Sequence, residues 1–217
     1  QYAKFVQGLA TGRDFPDNAE LRAAHPEQVV HCPAPCLGYS PLQSRTINEM
    51  VSEALPVSIS IALGAFVLWM LVGVSGGIIA ALNRGKWPDR LVVGLGLIGY
   101  SLPTFFIGLI LLTFVAIQWG VVPVPSFKPF LPNPFEWAIN LILPWITLAC
   151  IFAASYMRLT RAYMIETMSE DFIRTARAKG AGKWRVILRH GLRASLAPIV
   201  TAAGLGLGGL LGGAIIT

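Results

Sequence analysis

A serine within a glycine-rich run is one candidate for a catalytic nucleophile in this sequence. Residues 73–77 read G-V-S-G-G, which fits the G-x-S-x-G string of serine hydrolases. A serine nucleophile needs a base within hydrogen-bonding reach. The histidines are His25, His31 and His190, and all of them lie outside the apolar stretches. We therefore interpret Ser75 as a small packing residue and expect no membrane hydrolase.

Two cysteines form the second candidate. Cys32 and Cys36 stand in the sequence H-C-P-A-P-C. They belong to residues 1–54, which the distribution of basic residues described below places outside the cell. On an oxidising face, two cysteines this close most simply form a disulfide. A metal site with His25 and His31 is an alternative, but the spacing differs from the usual Cys-x2-Cys pair and the prolines stiffen it. Two free thiols are the remaining alternative.

Lys183 is a third candidate, because a Gly-Lys pair occurs in phosphate-binding loops. That loop requires a glycine five residues before the glycine of the pair, where this chain has Arg177. It also requires Ser or Thr after the lysine, where this chain has Trp184. We therefore predict that the chain has no nucleotide site and no cofactor of its own.

Membrane helices are the elements that must position these residues. Of the 217 residues, 54% are hydrophobic and only 13% are charged, which is too apolar for an ordinary soluble domain. The net charge is +6, and twelve of the seventeen basic residues lie in residues 83–90 and 158–193. Basic loops remain in the cytoplasm, so both segments are predicted to be cytoplasmic. Nucleic-acid binding would need a folded module with readout or stacking residues, and we do not expect it.

Four apolar stretches separate the loops, and each is predicted to cross the membrane. Residues 1–54 then form a proline-rich extracytoplasmic segment. Residues 120–136 form a second outer loop, because five prolines prevent a regular helix there. In the last stretch Gly204, Gly208 and Gly212 repeat at every fourth position, which favours close helix packing. The predicted spans, all within a membrane domain of residues 55–217, are about 55–82, 91–119, 137–157 and 199–217.

Polar residues within the spans are candidates for a translocation path. Ser101, Pro103 and Thr104 interrupt the second span, and a proline at that depth frees a backbone carbonyl. They form either a locally satisfied kink or a flexible lining of the path. Where the third span leaves the membrane, the chain carries Tyr156, Arg158 and Arg161. They either anchor the helix at the interface or mark the inner end of the path.

The most distinctive pattern covers residues 170–198, here called the basic segment. In its first part Phe172, Ile173 and Ala176 share one helix face, and the arginines lie outside that face. The glycines at positions 180 and 182 then favour a turn or a helix end. The first part is therefore predicted to be a short amphipathic helix.

The second part of the basic segment is predicted to be another amphipathic helix. Trp184, Ile187 and Leu188 share one face. Pro198 is predicted to open the next apolar span, because proline fits a first helical turn. The arginines spaced i, i+4 and i+8 share a second face: Arg185, Arg189 and Arg193.

The sequence R-T-A-R-A-K-G at residues 174–180 resembles the EAA loop of ABC importer permeases. It is similar to the version in the first permease subunit of oligopeptide, dipeptide and nickel importers. In the general pattern Glu-Ala-Ala stands where this chain has Arg-Thr-Ala, so the acidic residue is missing at Arg174. Pro198 also lies further from the glycine than in sugar importers. The peptide branch shares both departures, and a weaker likeness extends from about Gly12 onward.

The resemblance implies an all-α membrane protein with the transmembrane domain of type I ABC importers, in a prokaryotic plasma membrane. That family has six core crossings, so four are expected here and the first and last are not. The implied partners are a second permease subunit, two ATPases that bind ATP and Mg, and an extracytoplasmic binding protein. The residues implied to couple to the ATPase are Glu170, Asp171, Phe172, Ile173, Arg174, Thr175, Ala176, Arg177, Lys179, Gly180 and Arg185, with Phe172 and Ile173 as apolar anchors.

A membrane scaffold or insertion factor, whose basic segment holds lipid or a soluble partner, is the alternative. Anionic lipid explains the arginines. It does not explain a glycine break between two apolar faces, or the acidic lead-in of Glu166, Glu170 and Asp171. Co-purification of ATPase subunits separates the two hypotheses. The substrate stays open among peptides, nickel chelates and related small solutes.

Overall fold

Helices make up most of the chain in this computed structural model, which describes residues 2–16, 29–131 and 133–216. The strands are β1 (Arg13–Phe15), β2 (Val30–Cys32), β3 (Tyr39–Ser40) and β4 (Arg45–Thr46). The helices are α1 (Tyr2–Thr11), α2 (Ile47–Leu82), α3 (Trp87–Ser101), α4 (Thr104–Leu111), the π-helix π1 (Leu112–Gln118), α5 (Pro134–Ser169), α6 (Asp171–Ala178), α7 (Lys183–Arg185), the π-helix π2 (Val186–Leu192) and α8 (Arg193–Ile216).

The N-terminal unit extends to Ser58 and contains two short antiparallel hairpins. In the first, β1 pairs with β2 so that Arg13 lies opposite Cys32. In the second, β3 pairs with β4. These strands are an exception to the predicted all-α fold. They form where prolines and glycines break the helical pattern, and where Phe15 stacks on Tyr39 with 5.5 Å between ring centroids.

The two cysteines of the N-terminal unit are joined in a disulfide, and both are buried. The neighbouring His31 lies on β2, and its Nδ1 is 2.6 Å from Oδ1 of Asp14. His31 therefore has a carboxylate partner. Within the described ranges no cluster of histidine, cysteine and acidic residues has the arrangement of a metal site, and His25 lies outside those ranges.

The second unit, Ile59–Ile216, is built around α5. Its core combines residues of α2, α5 and α8, with Trp69, Trp145, Tyr156 and Ile199 among the buried side chains. Trp145 Nε1 donates a hydrogen bond to the Ser60 carbonyl at 3.0 Å, which ties α5 to α2. In the described part of the chain, the helices long and apolar enough to cross a membrane are α2, α5 and the run Lys183–Gly212.

The predicted second span, 91–119, is divided between α3 and the shorter apolar helix Thr104–Gln118. The break falls at Leu102 and Pro103, which have extended backbones with ψ values of 127° and 143°. Proline has no N–H to continue a helix, and it forces the preceding residue out of the helical region. The kink predicted inside one long helix is therefore a full interruption between two shorter helices.

Glycines set the close packing of α2 against α5. A Cβ at Gly73 would lie 2.6 Å from Cβ of Tyr156, and a Cβ at Gly77 would lie 2.5 Å from Cβ of Thr160. Ser75, interpreted from sequence as a packing residue, is instead exposed in this chain, and its Oγ donates to the Leu71 carbonyl at 2.5 Å. The face of α2 that approaches α5 carries Gly73 and Gly77, because residues without a side chain leave room for the backbone of α5.

The helix that contains the predicted span 137–157 extends beyond it, to Ser169. One predicted helix boundary is wrong. The last helical run begins at Lys183, so Pro198 lies inside it instead of opening it. A proline inside a helix removes one backbone hydrogen bond, and membrane helices accept this where neighbouring groups satisfy the freed carbonyl.

Candidate functional site

The basic segment forms a short helix with a defined start and stop. Glu170 has an extended backbone (φ −67°, ψ 151°) and is the single residue between α5 and α6. After Lys179 the chain reverses at Gly180, whose φ is 77°. The N–H of Gly180 donates to the Arg177 carbonyl at 2.9 Å, and that of Ala181 to the Ala176 carbonyl at 3.1 Å. This pair of bonds is a Schellman motif, which requires the left-handed conformation that glycine adopts without strain.

The apolar face predicted for α6 is divided between the interior and the surface. Ile173 is fully buried within the chain, where α6 packs against α5 and π2. Phe172 is 46% exposed. The prediction of Ile173 as a surface anchor is therefore wrong, and Phe172 is the outward apolar group. The remaining predicted residues of the segment are exposed or half-buried: Glu170, Asp171, Arg174, Thr175, Ala176, Arg177, Lys179, Gly180 and Arg185.

An open groove of about 530 Å³ separates α6 from the helical run that follows it. Its basic side chains bring together two parts of the segment that the glycine turn separates, and none of its lining residues in the described chain is acidic. An adjoining depression adds Arg193 and Ala194. The groove is lined by Phe172, Thr175, Ala176, Lys179, Ala181, Arg185, Arg189 and His190.

The second predicted apolar face is displaced by the π-helix. Val186 and Ile187 are buried, whereas Trp184 and Leu188 are exposed. In a π-helix the backbone bonds run from i to i+5, so each turn holds more residues than an α-turn. A face predicted with the 3.6-residue period is therefore wrong here. The arginine spacing still indicates the groove, since Arg189 lines it beside Arg185.

The predicted path residues are not brought to one place. Ser101, Pro103 and Thr104 are exposed at the break between α3 and α4. Tyr156 is buried in the core, with its ring centroid 6.0 Å from that of Trp69. Both interpretations of Tyr156 placed it at a surface, and both are wrong for this chain. The sequence did not show that α2 and α8 cover this position of α5.

Two family models match the chain. The model described as the binding-protein-dependent transport system inner membrane component covers residues 73–217, which is well over half of the chain. The chain belongs to this family. The model for the N-terminal part of the same kind of membrane component covers residues 1–62. Together with the apolar helices, the match identifies a multi-pass inner membrane protein.

Named relatives of this family member are peptide and glutathione permeases. A putative peptide transport system permease protein of Brucella abortus is 38% identical over 83% of this chain and 57% of its own length. A probable peptide ABC transporter permease protein of Sinorhizobium fredii is 36% identical over 88% of this chain and 63% of its own length. A glutathione transport system permease protein of Escherichia coli K12 is 35% identical over 82% and 56%. The chain thus spans less than two thirds of the length of these relatives.

This inner membrane component also contains a partly buried ion pair that the sequence pattern did not reveal. Arg161 donates from Nε to Oδ1 of Asp89 and from Nη2 to Oδ2, the latter at 2.9 Å. The Gly85 N–H donates to the same Oδ2 at 2.8 Å. The guanidinium of Arg161 holds the pKa of Asp89 down at about 2, and the bond from Gly85 adds to this effect.

One sequence signal could have found the pair. Asp89 is the only acidic residue between Glu53 and Glu136, and it is only 5% exposed. An isolated acid in a basic loop beside a membrane helix requires a partner, because a buried unpaired carboxylate is costly. Arg161 thus has a carboxylate partner within this chain, and its role as an interfacial anchor or a path residue stays a prediction. It fastens the 83–90 loop to α5.

Proposed function

We propose that this chain is a transmembrane permease subunit of an ATP-driven ABC importer with the type I architecture. It would form half of the translocation path for peptides or similar small solutes. The family match over residues 73–217 is the observation that carries this proposal, and the relatives' names support the solute class. The chain would contribute four of about six core crossings, with α3 and the helix Thr104–Gln118 together making one of them.

The proposed topology follows the basic loops. Residues 1–54 and 120–136 lie outside the cell, and residues 83–90 and 158–198 lie in the cytoplasm. The extracytoplasmic segments face the substrate-binding protein. The cytoplasmic segments face two ATPase subunits, which supply the ATP and Mg that this non-enzymatic subunit does not bind. The N-terminal disulfide agrees with an oxidising outer face.

The basic groove is the proposed ATPase contact. It offers one exposed aromatic side chain, Phe172, bordered by Lys179, Arg185 and Arg189. An apolar anchor surrounded by charges that pair at the edge is the usual arrangement of a protein interface. Lipid alone would not require the glycine-capped turn, so the scaffold alternative is less well supported.

Coupling needs a stiff connection between this contact and the membrane. The 36 residues of α5 form one helix, about 54 Å long at 1.5 Å per residue. Only Glu170 separates it from α6. Movement of α6 with a closing ATPase dimer would therefore be transmitted to α5 as a rigid-body rotation instead of being absorbed in a loop.

A substitution at Gly180 tests this coupling. Gly180→Val places a side chain in open space but requires it to adopt a φ of 77°. A left-handed residue of this type costs about 1–2 kcal/mol, so the coupling conformation should become roughly 5- to 30-fold less populated. We expect a loss of that order in the ATPase activity stimulated by loaded binding protein, measured on the reconstituted importer together with uptake.

Gly182→Val is the matched control for this experiment. Gly182 also faces open space, but its φ of −62° suits any residue. Stimulation should therefore stay near wild type. Normal stimulation and normal uptake in Gly180→Val would remove the coupling role from the basic segment.

The glycine stripe of α8 is the proposed contact for the second permease subunit. A Cβ at Gly204, Gly208 or Gly212 meets nothing within 4 Å in the described chain. Gly206, by contrast, is covered by Tyr156, whose hydroxyl would lie 3.0 Å from a Cβ. The stripe is therefore open within this subunit, as a surface for close helix packing with a partner would be.

We expect Gly208→Leu to weaken pairing of the two permeases while this subunit keeps its fold. The bulky side chain would hold the partner helix away from the stripe. Pull-down of the second permease, with thermal stability of the isolated subunit as a parallel measurement, checks this. Gly206→Leu should instead lower the thermal stability of the isolated subunit, because its side chain would clash with Tyr156 inside the subunit. Unchanged pairing in Gly208→Leu would show that the stripe faces lipid.

A further inference from the structure

A second cavity lies on the other side of α6 from the groove. Its volume is about 520 Å³, which is within the range of small-molecule sites. Apolar side chains from three different elements form its walls, and basic residues are its charged members. It is lined by Ala81, Leu82, Met164, Ile165, Met168, Arg177, Ala181, Lys183, Val186 and Ile187.

The burial of the lining residues gives the cavity an apolar interior and a basic edge. Met164, Val186 and Ile187 are buried, whereas Arg177 and Lys183 are exposed. Neither cation forms an ion pair with a residue in the described ranges. A ligand that satisfies both parts must carry an apolar chain and a negative charge.

In the topology proposed above, on which this step rests, the cavity lies at the depth of the cytoplasmic headgroups. The apolar part of α2, residues 55–82, is about 42 Å long at 1.5 Å per residue, which matches a bilayer including its headgroup regions. Its last two residues, Ala81 and Leu82, line the cavity. An acyl chain could therefore enter from the membrane side while its headgroup stays beside the two cations.

We propose that this cavity binds one anionic phospholipid of the cytoplasmic leaflet, with an acyl chain against Met164 and Ile187 and the phosphate between Arg177 and Lys183. Basic pockets between membrane helices on this side are a known mode of lipid recognition. The site goes beyond the permease function proposed above, since it needs no ATPase. The bound lipid would connect α6 to the ends of α2 and α5.

Lys183→Gln tests the site without touching the predicted coupling residues. The full-length permease is reconstituted in nanodiscs of equimolar phosphatidylglycerol and phosphatidylcholine, transferred to mild detergent, and analysed by native mass spectrometry for retained lipid. Wild type should retain one phosphatidylglycerol in preference to phosphatidylcholine. One basic residue near a membrane surface contributes about 1 kcal/mol, so Lys183→Gln should lower that preference about fivefold.

Two further variants keep the result interpretable. Lys86→Gln removes an exposed cation of the other basic loop and should leave retention unchanged. Ala81→Phe fills the cavity from α2 and should abolish retention even with both cations present. Equal retention of both lipids by wild type overturns the proposal. So does a Lys183→Gln variant that keeps its lipid but loses ATPase binding, since the cavity would then belong to the ATPase interface.

Discussion

Replacing Gly77 by alanine should destabilise the membrane unit by about 1–3 kcal/mol, the usual cost of overpacking. The new Cβ would lie 2.5 Å from Cβ of Thr160 and 2.7 Å from the Met157 carbonyl oxygen. A carbonyl oxygen in the middle of α5 cannot rotate away, so the two helices must separate. Separation would loosen the contacts of Trp69 and Tyr156 in the core between them. Thermal unfolding of the purified permease, followed by size-exclusion chromatography, measures the loss.

Two other glycines provide a graded comparison. A Cβ at Gly76 would meet only the flexible end of Met157, with Sδ at 2.9 Å, so Gly76→Ala should cost less. A Cβ at Gly94 on α3 meets nothing within 4 Å, so Gly94→Ala should be neutral or slightly stabilising. The expected order of stability loss is Gly77, then Gly76, then Gly94. Equal effects at the three positions would show that α2 and α5 do not pack as described.

Local chemistry made part of this fold predictable. Apolar stretches, basic loops and prolines act on a few neighbouring residues, so three long apolar helices and a disturbance of the helix at Pro103 could be predicted from the sequence alone, although the disturbance was predicted as a kink and is a full break. The Schellman turn at Gly180 belongs to the same class, because a glycine after a helical pattern indicates a left-handed cap. Resemblance to a family added what no local pattern could, namely the proposed partners of the basic segment.

The rest depended on contacts between distant parts of the chain. Ile173 and Phe172 are neighbours on one helix, and only the packing of α6 against α5 and π2 decides which of them is buried. Ser75 and Gly77 are both small, but Gly77 faces α5 whereas Ser75 is exposed. Which side of α2 faces α5 is decided by the packing of the two helices. Asp89 and Arg161 are 72 positions apart. Periodicity reports which residues share a face, but it does not report what that face meets.

Breaking the Asp89–Arg161 pair should also destabilise the membrane unit strongly. Removing one partner leaves a charged group of this partly buried pair without its hydrogen bonds, which costs about 1–3 kcal/mol. The two single variants should differ, since the Asp89 side chain is 7% exposed and that of Arg161 is 26% exposed. Arg161→Gln orphans the more buried charge, so it should cost more than Asp89→Asn. Thermal unfolding of both variants gives the comparison.

A double-mutant cycle isolates the interaction from the individual side chains. With Asp89→Asn and Arg161→Gln combined, no buried charge is left without a partner, so the loss should be smaller than the sum of the two single losses. Arg90→Gln is the matched control, because it removes an exposed cation from the residue next to Asp89. A purely additive cycle would mean that the pair contributes no coupling energy.

Acidification should remove the difference between wild type and Arg161→Gln. The pKa of Asp89 is lowered from 3.8 to about 2 in the folded protein. A carboxyl with a lowered folded pKa contributes stability that is complete above its unfolded value and is lost as the pH falls through its folded value. In Arg161→Gln the Asp89 carboxylate lacks its guanidinium partner, so it takes up its proton at a higher pH than in the wild type. The difference should therefore shrink as the pH falls towards about 2, where Asp89 of the wild type also takes up its proton. A difference that stays the same from neutral pH down to about pH 3 would contradict this account.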